Sequence, residues 1–327
     1  MEKERKEPLI QESIFQTEDG WLFVRHNELD RPRPFLLFVH GLGESGMCFN
    51  EAFESGEMLE YNLVVPDMMG YGRSSRAGNG DYSMDSLVLR LWRLMDVLEI
   101  GSFYIIGHSL GGDIGTFMAA SDSKKRIKGF VNIEGDLTPH DIFFSNKVVT
   151  AAESGNFAKW FNTDFKEELV LKGWGGRWLS CRRYYASLQF ARPEAFLANA
   201  KEIYQKNQPL PGRRECLTGL TYAGLTIPKV FCWGSESFAN GTLEFLESAS
   251  LQHRKFEPAF HWPMIDQAER FYSSFPTISR DRETHEGCCN KAMAETNCGL
   301  VAPVFSDRNR LLGLGMGRHP RGVPEAL

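Results

Sequence analysis

Short apolar runs alternate with amphipathic stretches along the first part of the chain. The clearest runs are Phe35 to His40, Tyr61 to Asp67 and Phe103 to Gly107. Apolar runs of this length, bounded by glycine and polar residues, are typical of strands buried on both faces of a sheet. Because the predicted strands alternate with helices at regular distances, the pattern predicts an α/β fold with a mostly parallel central sheet flanked by helices.

Two local patterns add detail to this prediction. Ser13 to Arg25 is interpreted as two short strands around the turn signal Asp19-Gly20, which would give the sheet an antiparallel edge. A helix is predicted from Met84 to Leu98, because its apolar residues recur at spacings of three and four and would face the sheet. That stripe consists of Met84, Leu87, Val88, Leu91, Leu94, Met95 and Leu98.

The segment 137–226 is much longer than one crossover helix between parallel strands requires, so it is predicted to form an inserted lid. Gly173 to Gly176 is a candidate hinge within it. Aromatic residues are frequent in the segment, and they are expected partly to pack with one another and partly to line an apolar substrate pocket. They are Phe143, Phe144, Phe157, Trp160, Phe161, Trp174, Trp178, Tyr184, Tyr185, Phe190 and Phe196.

The C-terminal segment departs from this pattern. Residues 277–327 have no sustained apolar period and contain several Gly and Pro interruptions, so they are predicted to form a disordered tail. No metal site is predicted there, because the spacing of the possible ligands lacks a paired C-x₂-C arrangement. Those residues are His285, Cys288, Cys289 and Cys298. The predicted domains are therefore a core of 1–136 and 227–276, a helical cap of 137–226, and the tail.

The most informative motif is Gly107-His108-Ser109-Leu110-Gly111, which ends an apolar run and opens a helix-like stretch. A serine on a sharp strand-to-helix turn, with glycines where the strained backbone leaves no room for a Cβ, is the pattern of a nucleophile elbow. The motif resembles that of the α/β-hydrolase superfamily, and the resemblance extends over about residues 10–276. It implies that Ser109 is a catalytic nucleophile.

The resemblance also implies an oxyanion hole and a base. His40-Gly41-Leu42-Gly43 is similar to the family's loop after the third strand, so the backbone N–H groups of Leu42 and Leu110 would hold a tetrahedral oxyanion, and His40 would shape the loop. His261 precedes the last helical stretch and stands where the family places its base, although Phe260 replaces the usual glycine before it. A strand is predicted before His261, from Arg254 to Glu257, and His253, interpreted as part of a charged loop beside Arg254 and Lys255, is not expected to take part.

Three carboxylates remain open as the acid that orients the base. The usual position after the seventh strand, Lys229 to Gly234, reads Ser235-Glu236-Ser237, with serine where Asp is expected. A minority of relatives place a Glu after the sixth strand instead, and the predicted sixth strand, Gly129 to Gly135, carries Glu134. Glu134 is therefore favoured over Glu236 and Asp136.

Composition favours an enzyme rather than a nucleic-acid-binding or membrane protein. The formal net charge is −5 and no basic stripe is interleaved with aromatics, so no nucleic-acid partner is expected. No apolar stretch approaches the roughly 18 residues of a membrane span, and the charged N-terminus lacks the apolar region of a secretory signal, so a cytoplasmic protein is expected. Seven cysteines without framework spacing fit reduced thiols. The oligomeric state stays open.

The expected function is cofactor-independent hydrolysis of a carboxylic ester of a small apolar substrate through an acyl-enzyme. Relatives that share the serine elbow also cleave lactones, thioesters, amides and carbon–carbon bonds, and these reactions remain alternatives. A ligand-binding or receptor-like protein with little turnover is an alternative from another class.

Overall fold

The structure is a computed structural model that describes residues 10–237 and 240–275. Within these residues one sheet of eight strands runs in the order β1-β2-β4-β3-β5-β6-β7-β8. The strands are β1 (Gln11–Thr17), β2 (Gly20–His26), β3 (Phe35–Val39), β4 (Asn62–Pro66), β5 (Phe103–His108), β6 (Ile127–Ile133), β7 (Lys229–Gly234) and β8 (His253–Phe256).

Strand direction follows the expected pattern. The hairpin of β1 and β2 is antiparallel and turns at the pair Thr17 and Gly20, and β2 also pairs antiparallel with β4. From β4 to β8 every neighbouring pair is parallel. The predicted fold class, a mostly parallel sheet flanked by helices with an antiparallel edge, is therefore confirmed.

Helices connect the parallel strands and cover the sheet. The α-helices are α1 (Asn50–Glu54), α2 (Met84–Val97), α3 (Leu110–Ala120), α4 (Phe143–Glu153), α5 (Phe157–Lys159), α6 (Leu179–Leu188), α7 (Pro193–Lys206), α8 (Leu217–Gly224), α9 (Asn240–Ser248), α10 (Pro263–Asp266) and α11 (Ala268–Ser273). Short 3₁₀ turns lie at Gly46–Phe49, Glu57–Glu60 and Trp174–Gly176, and a π-helix spans Trp160–Gly173.

The helix α2 shows how the sequence pattern produces packing. It begins after Ser83, whose hydroxyl accepts a hydrogen bond from the backbone N–H of Ser86 at 3.3 Å and so caps the first turn. The predicted apolar stripe is the buried face, and Leu91 is 1% exposed within it. Leu89, on the opposite face of the same helix, is 50% exposed.

Three local expectations differ from the structure. The sixth strand runs from Ile127 to Ile133, so Glu134 lies just after it rather than inside it. His253 begins β8 instead of lying in a loop. Only Phe256 of this edge strand is buried, so the strand has almost no apolar alternation from which its first residue could be predicted. The candidate hinge, Gly173 to Gly176, is helical, because the π-helix passes directly into a 3₁₀ turn there.

The segment 137–226 is helical throughout most of its length and holds its own aromatic cluster. Phe161, Phe165 and Phe196 are fully buried, and their ring centroids lie 4.7 to 6.1 Å apart. The division into core and cap stays a prediction. The predicted tail, 277–327, lies outside the described residues, together with His285, Cys288, Cys289 and Cys298.

The two faces of α2 give a matched test of the packing. Leu91→Ala removes a fully buried side chain and should lower the free energy of unfolding by about 2–5 kcal/mol, because it leaves a cavity against the sheet. Leu89→Ala makes the same chemical change on the exposed face and should change the free energy of unfolding by less than about 0.5 kcal/mol. Urea unfolding of both variants measures the difference; equal losses would contradict the assignment of the buried face.

Candidate active site

Ser109 lies on the sharp turn between β5 and α3 with a strained backbone. Its φ is 51° and its ψ is −121°, a region that residues other than glycine rarely adopt. The turn is held by the backbone N–H of Ser109, which donates to the carbonyl of Ile133 at 2.8 Å. A Cβ on Gly107 would lie 2.2 Å from the carbonyl oxygen of Gly111, so glycine is required where the chain turns back on itself. The structure therefore has the backbone geometry of a nucleophile elbow.

The loop after β3 approaches the serine closely. A Cβ on Gly41 would lie 3.1 Å from the Cβ of Ser109. The next residue, Leu42, is 6% exposed, and its carbonyl accepts a hydrogen bond from the hydroxyl of Tyr184 at 2.9 Å. Leu110, the other residue with a candidate oxyanion donor, is buried at the first position of α3. Both backbones thus flank the serine turn, and their role as an oxyanion hole stays a prediction.

His40 takes part in the architecture of this loop. Its Nδ1 donates to the carbonyl of Gly41 at 2.9 Å, and its Nε2 accepts the backbone N–H of Met68 at 2.9 Å. Both ring nitrogens are therefore occupied, and burial lowers the pKa of His40. A neutral, fully buried imidazole with two backbone partners fits the structural role expected for it.

His261 contacts the carboxylate of Glu134. Its Nδ1 lies 2.5 Å from Oε2 of Glu134, whose side chain is 5% exposed, while the side chain of His261 is 29% exposed. Burial alone would lower the pKa of His261, but the charge and hydrogen bond of Glu134 outweigh burial and raise it. The second ring nitrogen is left for another partner, as a general base requires.

Ser237, at the position where the family usually carries its acid, contacts Glu134. Its hydroxyl lies 2.7 and 2.8 Å from the two oxygens of Glu134, and the backbone N–H of Gly234 donates to Oε1 at 2.6 Å. The serine at the usual acid position thus supports the carboxylate that contacts His261. Glu134 itself has a φ of 49°, so it follows β6 in a strained turn as Ser109 follows β5.

The two other candidate acids have different partners. Glu236 lies at the surface and forms an ion pair with Arg177 at 3.0 Å. The backbone N–H of Asp136 donates to the carboxylate of Asp113 at 2.8 Å, and burial and the charge of Asp113 hold the pKa of the Asp136 side chain well above its usual range. The structure brings Glu134, rather than either alternative, to His261.

A cavity of about 480 Å³ adjoins Ser109 and His261. Aromatic side chains and carboxyl groups both line it. The aromatic wall comes from the segment 137–226, from β7 and from the loop of His261. It consists of Phe143, Phe144, Trp174, Tyr184, Phe231, Phe260 and Trp262. Asp136 and Asp141 are among the carboxyl groups, and burial raises the pKa of both.

Phe260, which replaces the glycine expected before His261, has a defined place. Its ring lies 5.6 Å from that of Trp174 and 6.0 Å from that of Trp178, centroid to centroid. The sequence departure therefore extends the aromatic wall beside His261. Only some of the aromatics of the segment 137–226 reach the cavity, because others, such as Phe161 and Phe165, pack inside the segment.

Glu44 and His108 were not among the residues predicted for the site. His108 is the variable residue before Ser109 in the elbow, and Glu44 follows the glycine-rich loop after β3. Both side chains are almost completely buried, and His108 Nδ1 lies 2.8 Å from Oε2 of Glu44. Their nearness to Ser109 and to the loop of Gly41 is the only signal in the sequence that could have pointed to them.

Among 10–237 and 240–275, no group of three or more His, Cys, Asp or Glu side chains could hold a metal ion. No helix in the same part of the chain is long and apolar enough to cross a membrane.

Comparison with known proteins supports the same fold. A family model described as alpha/beta hydrolase fold matches residues 34–268. Among curated proteins, the Magnesium-chelatase 30 kDa subunit of Rhodobacter capsulatus is 33% identical over 96 residues, covering 29% of this chain and 34% of that protein. Lipase 3 of Moraxella sp. (strain TA144) is 34% identical over 91 residues, covering 28% of each. The matches thus span about a third or less of these relatives' own lengths.

Solved structures match over much more of the chain, at lower identity. A hydrolase from Pseudomonas aeruginosa PA01 has a TM-score of 0.65 at 16% identity and covers 82% of this chain and 97% of its own. The N-acyl homoserine lactonase AidH has a TM-score of 0.64 at 19% identity, with 84% and 97% covered. An enol-lactonase from Burkholderia xenovorans LB400 has a TM-score of 0.61 at 15% identity, with 81% and 99% covered. At these identities the likeness concerns the fold alone, and together with the family match it shows that the chain belongs to the α/β-hydrolase fold family.

Proposed function

We propose that this protein is a serine hydrolase that cleaves a carboxylic ester of a small, neutral and largely apolar substrate. The observation that carries the proposal is the contact of 2.5 Å between His261 Nδ1 and Glu134, beside the cavity that Ser109 also lines. A buried carboxylate that fixes an imidazole, next to a serine on a strained elbow, is the arrangement that activates a hydroxyl for nucleophilic attack.

In the proposed reaction Ser109 Oγ attacks the ester carbonyl while His261 takes its proton. The N–H groups of Leu42 and Leu110 stabilise the negative charge that develops on the carbonyl oxygen, and Glu134 stabilises the imidazolium. The C–O bond to the leaving group then breaks, and His261 gives the proton to the departing alkoxide. Water attacks the acyl-enzyme by the same steps in reverse, releasing the acid and the free serine. No cofactor is needed.

The lining of the cavity supports the choice of substrate. The aromatic side chains favour an apolar acyl or alcohol group, and each buried methylene adds at most about 0.8 kcal/mol of binding. Burial disfavours the charged forms of Asp136 and Asp141, and it would equally disfavour a negative charge on a substrate in the same cavity. A neutral ester of moderate length suits this lining.

A fluorophosphonate probe followed by a substrate panel tests the proposal. We expect the probe to label Ser109 and short to medium p-nitrophenyl esters to be turned over. Lactones belong in the panel because two structural neighbours are lactonases, and thioesters, amides and β-diketones cover the other reactions of the fold. Labelling without turnover of any member would favour a receptor-like protein, and absence of labelling would contradict a serine hydrolase.

Removal of the nucleophile should abolish turnover without unfolding the protein. Ser109→Ala deletes one oxygen at a turn that the backbone already defines, so kcat should fall about 10³-fold or more. Ester hydrolysis and circular dichroism measured together check the result. A variant that retains more than about a tenth of the activity with an unchanged spectrum would show that another residue is the nucleophile.

The three candidate acids can be separated by isosteric amides. Glu134→Gln keeps the shape but removes the charge beside His261, so kcat should fall about 10²–10⁴-fold near neutral pH. Glu236→Gln, at the surface ion pair with Arg177, and Asp136→Asn should each cost less than about tenfold. Steady-state kinetics of the three variants decide the matter; a larger loss in Glu236→Gln would place the acid after the seventh strand.

The pH profile provides an independent test of Glu134. His261 must be neutral to accept the serine proton, and Glu134 raises its pKa above the ordinary value of 6.5. Therefore kcat/KM for a neutral ester should rise with pH through a pKa above that value. In Glu134→Gln the pKa should fall, which moves the acidic limb to lower pH, whereas Glu236→Gln should leave the limb in place. A limb that stays or moves upward in Glu134→Gln would contradict the pairing.

A further inference from the structure

The carboxylate of Glu44 contacts residues of three separate segments. The backbone N–H of Gly41 donates to its Oε2 at 2.7 Å, and His108 Nδ1, at the end of β5, lies 2.8 Å from the same oxygen. The indole N–H of Trp262 donates to its Oε1. Gly41 precedes the candidate oxyanion donor Leu42, His108 precedes Ser109, and Trp262 follows His261. One side chain therefore contacts a direct neighbour of Leu42, of Ser109 and of His261.

His108 extends this connection to the base itself. Its Nε2 lies 2.8 Å from the carbonyl oxygen of His261, and the two imidazole rings are 4.7 Å apart between centroids. A carbonyl oxygen only accepts hydrogen bonds, so Nε2 of His108 must carry a proton. Glu44 thus holds the backbone of His261 through His108, while Glu134 holds its ring.

Glu44 stays acidic in spite of its burial. Burial would raise its pKa, but the contact with His108 and the hydrogen bond of Trp262 lower it to about 2. The ring of His108 is 1% exposed and lies between two oxygens, Oε2 of Glu44 at Nδ1 and the carbonyl oxygen of His261 at Nε2.

We propose that Glu44 and His108 form a buried positioning pair, which fixes the spacing between the oxyanion loop, the elbow and the loop of His261. The inference rests on the proposed hydrolase function. Neither side chain is assigned a chemical step. Their effect is on distances, and a displacement of about 1 Å among reacting groups can cost about 10²-fold in rate.

Glu44→Gln is the informative change because an amide cannot replace the carboxylate. Gly41 and Trp262 each donate an N–H to a different oxygen of Glu44, so an NH₂ group in place of either oxygen faces one of these donors. We expect kcat to fall about 10- to 100-fold and KM to change by a smaller factor, because Gly41 and His108 adjoin the reacting groups and only Trp262 among the three partners belongs to the aromatic wall. Glu44→Asp retains the charge and should recover part of the loss.

Asp67 offers a matched control. It is also a buried carboxylate that accepts backbone N–H groups, from Gly46 at 2.7 Å and from Arg73 at 2.8 Å. Its donors do not adjoin Ser109, Leu42 or His261. Asp67→Asn should therefore lower stability but leave kcat of the folded fraction unchanged. If Asp67→Asn and Glu44→Gln lose kcat equally, the effect is a general one of buried carboxylates, and the proposal is wrong.

Two further measurements separate this inference from the proposed function. The rate at which a fluorophosphonate labels the protein reports attack by Ser109 on phosphorus, loss of fluoride and transfer of the serine proton to His261. If the wild type is not labelled, the proposed function fails. If it is labelled and Glu44→Gln reacts at the same rate, the positioning role of Glu44 fails while the hydrolase proposal stands.

The Nε2 proton of His108 can be observed without any substrate. In ¹⁵N-histidine NMR spectra of the wild type, the ring of His108 should carry a proton on Nε2, and its signal should be absent from His108→Asn. The measurement needs only wild-type protein and a spectral assignment, so it decides the question even if Glu44→Gln does not fold. A His108 ring without a proton on Nε2 would overturn the hydrogen bond that connects the pair to the backbone of His261.

Discussion

The register between β5 and β6 is the constraint on which the candidate site depends. His108 and Ile133 are paired at the ends of these parallel strands, so Ser109 and Glu134 are the first residues after two neighbouring strands. Both adopt positive φ, of 51° and 49°. Each such residue costs about 1–3 kcal/mol and persists only where the surroundings enforce it. Here the sheet does so, because Ser109 N–H donates to Ile133 and Glu134 N–H to Cys232.

Much of this site could be predicted because its signals are local in the sequence. The elbow around Ser109 combines an apolar run, two glycines and a helix start within a few residues, and the absent Asp at Ser237 directed attention to Glu134. The structure brings Glu134 to His261, and the hydroxyl of Ser237 donates a hydrogen bond to the Glu134 carboxylate. This hydrogen bond could not be predicted from the sequence, because Ser237 and Glu134 are 103 positions apart.

The features that escaped prediction are long-range or lack apolar contrast. Glu44 meets His108 across 64 positions and Trp262 across 218, and no periodicity relates such partners. The edge strand β8 was misplaced by one residue because His253 and its charged neighbours leave only Phe256 buried. The boundaries of β8 are determined by its pairing with β7, and the sequence of β8 alone does not encode this pairing.

Two buried carboxylates, those of Glu134 and Glu44, influence the pKa of His261, and they do so through different contacts. Glu134 contacts the ring, whereas Glu44 reaches only the backbone through His108, yet the negative charge of each raises the pKa of the imidazole. A higher pKa makes the neutral imidazole a stronger base but lowers the fraction that is neutral at a given pH. Burial acts in the opposite direction. The partial enclosure of His261 beside Phe260 and Trp262 therefore limits how far the two carboxylates can raise its pKa, so the aromatic wall that lines the cavity also contributes to the pKa of the candidate base.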